Sequence, residues 1–184
     1  FGCDDNMDGI SEYFDTTNVE ATVLNGQTGM EVSYFDSSGD ELPNPLPNPY
    51  TNVITNNDFI TVRVTNAITG CFAESILTLE TATKPTINTP SVMYSCDNGE
   101  GIGSFDTTLL ESEIIGGQSG LNILYFDESG GALPSPLAVN YQNATPWNQT
   151  ISIRVENALN PLCYSETTLD LVVNELPQIA LEDS

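Results

Sequence analysis

Directly after Cys3 the chain reads Asp4-Asp5-Asn6-Met7-Asp8-Gly9-Ile10-Ser11-Glu12-Tyr13-Phe14-Asp15. Alternating acidic and amide side chains around a glycine turn can converge on one point, and a hard cation such as calcium takes about six to eight oxygens from such a loop. Laid on the twelve-residue calcium-loop pattern, Asp4, Asn6 and Asp8 fall on its first alternating positions and Gly9 on its sharp turn. Ile10 then supplies the backbone carbonyl, Glu12 the ninth position and Asp15 the last. The expected chemistry is Ca²⁺ binding by Asp4, Asn6, Asp8, Ile10, Glu12 and Asp15. Asp15 has a shorter arm than the glutamate usual at that position, and a solvated acidic turn is the plainer reading. A second loop, Cys96-Asp97-Asn98-Gly99-Glu100-Gly101-Ile102-Gly103-Ser104-Phe105-Asp106, is two residues shorter and poorer in acid, so no metal is expected there.

The other reactive side chains are sulfur. Four cysteines sit at matching places, Cys3 and Cys71, then Cys96 and Cys163. That spacing fits one disulfide per unit, Cys3 to Cys71 and Cys96 to Cys163, in an oxidising compartment. The chain has no histidine and no Cys-x-x-Cys, which argues against a zinc site. With no histidine and no serine in a nucleophile-elbow context, an enzyme is not expected. Asp36 and Asp127, in Tyr-Phe-Asp turns, read as caps of their own loops. Arg63 and Arg154 read as outward-facing partners of neighbouring carboxylates. Trp147 with Tyr141 offers a sugar-stacking platform or, more plainly, edge packing. Asn143-Ala144-Thr145 and Asn148-Gln149-Thr150 match the N-glycosylation pattern, relevant only in a host with that machinery.

These side chains must be held by a repeated scaffold. Val23 to Leu46 lies over Ile114 to Leu137 at an offset of 91, and Phe14-Asp15-Thr16-Thr17 over Phe105-Asp106-Thr107-Thr108 at the same offset. The expected division is residues 1–84 as a first repeat that begins without its own first strand, 85–176 as a second, and 177–184 as the start of a following repeat or a donated strand. Ile60, Val62 and Val64 alternate with Thr61, Arg63 and Thr65, the period of half-buried strands. Turn signals at Asn25-Gly26, Ser38-Gly39 and Thr69-Gly70 recur in the second copy. The pattern predicts an all-β chain of two tandem immunoglobulin-like or fibronectin-III-like β-sandwich domains, about seven strands each, with no amphipathic helix. The link 81–89 carries two prolines and should be stiff.

A formal charge of −23, with three basic residues against 26 acidic, argues against nucleic acid and anionic membrane as partners. The hydrophobic residues, 39% of the chain, fall in periodic runs, and none approaches the roughly 20 apolar residues of a membrane span.

The order Cys-Asp-Asp-Asn-x-Asp-Gly, Phe-Asp, Gly-Gln-x-Gly, Tyr-Phe-Asp, Leu-Pro-x-Pro, a Val-Arg-Val strand and a Gly-Cys turn resembles the tandem Ig-like repeats of giant flavobacterial surface adhesins. These include gliding-motility adhesins exported by the type IX secretion system. The resemblance covers nearly the whole chain and implies an extracellular, cell-surface stalk whose partners are neighbouring repeats or subunits and, at a tip, surface glycans. It also implies O-glycans on Thr16 and Thr107, because Asp-Thr-Thr resembles a glycosylation signal of that phylum. The expected function is thus a structural stalk segment stiffened by calcium. Its alternatives are a filament subunit assembled head-to-tail by donation of 177–184, and a carbohydrate-binding module.

Overall fold

The computed structural model describes residues 1–179. The chain forms two compact units. The first comprises Phe1–Lys84 together with Leu159–Cys163, the second Pro85–Ala158 and the chain from Tyr164 onward.

In the first unit the elements run β1 (Gly2–Asp4), α1 (Val19–Leu24), β2 (Met30–Phe35), β3 (Glu41–Leu42), β4 (Asn57–Asn66) and β5 (Phe72–Thr83). They build a five-stranded sheet in the order β1-β5-β4-β2-β3. Strand β1 is parallel to β5, and the other pairs are antiparallel. The alternation seen in the sequence decides which face is covered. Ile60 and Val62 of β4 and Val32 and Tyr34 of β2 point into the core with Phe14, Leu46, Tyr50 and Leu79. Opposite the sheet, the second layer is reduced to a bridge between Phe14 and Tyr50.

The second unit repeats this plan with β6 (Met93–Cys96), β7 (Ser104–Asp106), α2 (Leu110–Ile115), β8 (Leu121–Phe126), β9 (Ala132–Leu133), β10 (Asn140–Gln142), β11 (Asn148–Asn157) and β12 (Tyr164–Asn174). Its main sheet runs β6-β12-β11-β8-β9, with β7 and β10 paired as a separate ribbon. The ribbon pairs Phe105 with Tyr141, the counterparts of Phe14 and Tyr50. Both units are therefore all-β and Ig-like, the first with a thinner second layer.

The two short helices depart from the expectation of strands and loops alone. Each is six residues long, and in α2 the residues four apart, Leu110 and Ile114, are buried. A turn and a half of helix stands only because that apolar stripe packs on the core, and it is too short to give a periodic signal. Asn25 and Gly116, both at positive φ, end the helices.

Candidate functional site

The disulfide joins Cys3 to Cys163, with Cα atoms 5.0 Å apart and 160 residues of separation. Cys71 and Cys96 are free and exposed. The expected bridges Cys3–Cys71 and Cys96–Cys163 are not formed, and the sheet register explains why. Cys3 lies opposite Ala82, near the far end of β5, whereas Cys71 immediately precedes the first residue of that strand. Ten residues of strand separate the two levels by about 30 Å, against the roughly 7 Å limit for bridging. Cys96 opposite Asn174 and Cys163 beside Tyr164 are held apart in the same way along β12. Each repeat thus presents one cysteine near either end of its last strand, and the bond formed joins the leading cysteine of the first repeat to the turn cysteine of the second. The turn Leu159–Cys163 groups with the first unit, where Asn160 donates to the Phe1 carbonyl at 3.4 Å.

Behind Cys3 the acidic loop is closed by its own hydrogen bonds. The Asp4 carboxylate is buried, 3% exposed. It accepts backbone N–H groups from Asn6 and Asp8 on one oxygen and from Gly9, at 2.9 Å, on the other. Asp97 does the same for Gly99 and Gly101 in the shorter second loop. Gly9 and Gly101 take positive φ, which lets the chain fold back on the aspartate. Asp8 accepts from the Ile10 N–H and the Asn6 amide. Asp15 lies outside the cluster. The Thr17 hydroxyl and then the Thr17 N–H bond to it and hold its carboxyl below the usual carboxylate range. Of the six residues expected to bind calcium, Asn6, Asp8, Ile10 and Glu12 line one cleft of ≈160 Å³ together with Asp5, while Asp4 and Asp15 do not. Among the described residues no group of three or more acidic or thiol side chains is close enough to hold a metal ion. Lys84 balances part of the charge by pairing with Asp5 at 3.4 Å.

Two residues that sequence reasoning missed anchor these loops. Asn52 accepts the Ser11 N–H at 2.7 Å and donates to the carbonyls of Gly9 and Ile54. Asn143 repeats the three bonds to Gly103, Gly101 and Thr145. Both are buried, 2% and 3% exposed. The signal was an asparagine conserved between the copies at the offset of 91, which the glycosylation pattern obscured. Asn143 is no surface acceptor, because its amide is fully engaged inside the fold.

Thr16 and Thr107 are likewise interior, each 7% exposed. Their hydroxyls donate to the carbonyls of Pro47 and Ala138. A sugar on either oxygen would have to displace that bond. Trp147 adopts a positive φ and packs on Gly101, where an added Cβ would come within 2.8 Å of its ring. One side of the indole is thereby covered. Arg63 pairs with Glu74 at 2.7 Å, across the β4–β5 register, and lies over the rings of Phe35 and Phe72. Arg154 pairs with Glu156 and stacks on Tyr164.

A family model described as the Flavobacterium inter-domain disulphide bond domain matches the chain twice, over residues 1–85 and 92–177. Among curated proteins no significant match is found. Among solved structures, a three-Ig-domain segment of titin aligns with 10% identity and a TM-score of 0.35, covering 81% of this chain and 56% of its own. The N-terminal Ig1-2 module of the Drosophila receptor protein tyrosine phosphatase DLAR aligns with 10% identity and a TM-score of 0.27, covering 79% of this chain and 84% of its own. A Bacteroides ovatus protein from a mixed-linkage glucan utilization locus, solved with a heptasaccharide, aligns with 9% identity and a TM-score of 0.24. It covers 81% of this chain and 38% of its own.

Proposed function

The chain belongs to the Flavobacterium inter-domain disulphide bond domain family, and we propose that it serves as a structural segment of a long, secreted cell-surface adhesin whose successive repeats are joined through cysteine. One observation carries the proposal: Cys3 of the first repeat is bonded to Cys163 of the second, while the equivalents of those residues, Cys96 and Cys71, are exposed thiols. A bond from the leading cysteine of one repeat to the turn cysteine of the next can be copied along an array of any length. Cys96 then awaits a turn cysteine, and Cys71 a leading one. Closing each pair is a two-electron oxidation, with both thiol protons lost to a disulfide-exchange oxidant of the secretory route. The resemblance to flavobacterial adhesins adds export by the type IX system and a place in attachment or gliding.

The test is a head-to-tail fusion of two copies, Ser184 joined to Phe1, expressed in an oxidising compartment. Non-reducing peptide mapping is expected to find Cys96 of the first copy bonded to Cys71 of the second. Free thiols at both positions would overturn the linkage.

Calcium stiffening is the narrower part of the proposal, supported by the cleft that gathers Asn6, Asp8, Ile10 and Glu12. These are oxygen donors suited to a hard cation. The melting temperature is expected to rise from chelator to millimolar calcium, and to do so less in Asp8→Ala. Equal melting temperatures would remove the metal.

A further inference from the structure

We infer that the outer face of the second repeat's sheet carries a shallow subsite for a neutral sugar ring, held between Phe126 and Glu166. The sheet register places the residues that make it. Ile151, Ile153 and Val155 of β11 are buried in the core, so Ser152 and Arg154 project from the opposite face. Ser152 stands between Phe126 on β8 and Thr168 on β12, and Arg154 stands opposite Glu166 on β12. These side chains line a cleft of ≈300 Å³, at the lower end of the roughly 300–1,000 Å³ of small-ligand sites.

The first repeat fills the equivalent place. Arg63 donates from Nε at 2.8 Å and from Nη2 at 2.7 Å to Glu74, its neighbour across the strands. The same guanidinium lies over the rings of both Phe35 and Phe72, 4.7 and 4.6 Å from their centroids. Thr61 and Ile76 stand where the second repeat has Ser152 and Thr168, so the floor is raised by branched side chains. In the second repeat Arg154 turns instead along its own strand, to Glu156 at 2.8 Å. It lies over Tyr164, 3.6 Å from the ring centroid, rather than over Phe126. Glu156 replaces Thr65, and this second carboxylate is the sequence change that draws the guanidinium away. The exposed Glu166 carboxylate and the half-buried Phe126 ring are thereby left to face the cleft.

The lining selects the ligand. A carboxylate disfavours an anion and a neighbouring guanidinium disfavours a cation, so the occupant is neutral and both donates and accepts hydrogen bonds. A pyranose combines these properties with an apolar C–H face that packs on an aromatic ring, while hydroxyls on its rim donate to a carboxylate. The formal charge of −23 on the chain further opposes acidic sugars. Nothing in this reading depends on how the cysteines pair or on a metal.

The test titrates the isotope-labelled, disulfide-intact chain with the methyl glycosides of glucose, galactose and mannose. At least one is expected to shift the amide resonances of Ser152, Glu166 and Thr168 saturably, with about millimolar affinity for so small a ligand. Methyl glucuronide, the acidic comparator, is expected to bind about 10-fold more weakly. Thr168→Ile installs the first repeat's residue at an exposed position and fills the cleft; it is expected to weaken binding about 10-fold or more with the rest of the spectrum unchanged. Glu166→Gln keeps the size of the side chain and is expected to lose about 3-fold. Resonances unmoved by all three glycosides overturn the inference. So does binding that survives Thr168→Ile undiminished, which would put the sugar elsewhere, and so does equal affinity for the glucuronide. A lysine-bearing tripeptide, acetyl-Gly-Lys-Gly-amide, that shifts these resonances where the glycosides fail overturns it too, since the cleft would then serve a cationic protein partner.

Discussion

Cys3 and Cys96 hold the same place beside the last strand of their repeats, and Cys163 and Cys71 the same turn, yet Cys3 is bonded to Cys163 while the other two remain exposed thiols. The second repeat also lays the run Pro85–Ser91 along α2 and β12 through Gln118 and Ser165. An equivalent place in the repeat therefore does not fix a cysteine's partner; the partner is set by which cysteine of another repeat the fold brings beside it.

Breaking the bond tests that comparison most severely. Cys3→Ser, or reduction of the native protein, opens a loop with a separation of 160 residues and is expected to cost about 5 kcal/mol of unfolding free energy in the loop-closure treatment. Denaturant titrations with and without reductant measure it. A change comparable to that of Cys71→Ser, expected to be near zero, would make the bridge incidental.

A smaller effect concerns two close approaches that the repeats solve in mirror fashion. A Cβ on Gly2 would meet the Ser11 hydroxyl at 2.4 Å, and one on Gly103 would meet the Ser95 Cβ at 2.7 Å. Gly2 corresponds to Ser95 and Ser11 to Gly103, so each copy keeps one glycine and one serine with the roles exchanged. Gly2→Ser is expected to cost about 2 kcal/mol from overpacking, and adding Ser11→Gly should return most of it. Thermal unfolding of the single and double variants decides this; no rescue would mean the two positions are not coupled.

The smallest effect is a pH dependence that Asp58 adds to the first repeat and that its counterpart in the second does not supply. Burial opposes the charge on Asp58, but the backbone N–H groups of Val53, Ile54 and Phe59 prevail and hold its carboxyl below the usual range. Its counterpart Gln149 receives the Ala144 N–H without a charge. A depressed folded value means stability that is present above the ordinary carboxylate pKa of about 4 and lost as pH falls through the folded value. Asp58→Gln should therefore flatten the acid limb of the first repeat's stability curve, while Gln149→Glu should steepen that of the second, to which Asp106 and Asp127 already contribute. Unchanged acid limbs in both would remove Asp58 as the source.

Much of the scaffold was legible because alternation and duplication are local. Ile60-Thr61-Val62-Arg63 announces a strand with one buried face, and the repeat of Tyr-Phe-Asp announces the second copy. The helices were not legible, since Val19 to Leu24 becomes helical only through the core beneath it. Nor was the cysteine pairing. Spacing within a repeat places Cys3 and Cys71 in one domain, but the parallel pairing of β1 with the far end of β5 separates them, and that register is a property of the folded sheet. At the acidic loop the order of residues suggested six ligands. Nothing in that order showed that Asp4 would turn inward to its own backbone, or that Asp15 would be taken by Thr17.

The bridge also decides where a pull on the chain would be felt. Tension entering at Phe1 meets Cys3 after two residues, crosses the sulfurs to Cys163 and leaves along β12. Everything between the two cysteines hangs as a closed loop beside that path. Either sandwich could come undone, or a protease could cut any peptide bond inside the loop, without the tether lengthening or parting. Strength along the line then resides in one covalent bond and one strand rather than in the stability of the domains it joins.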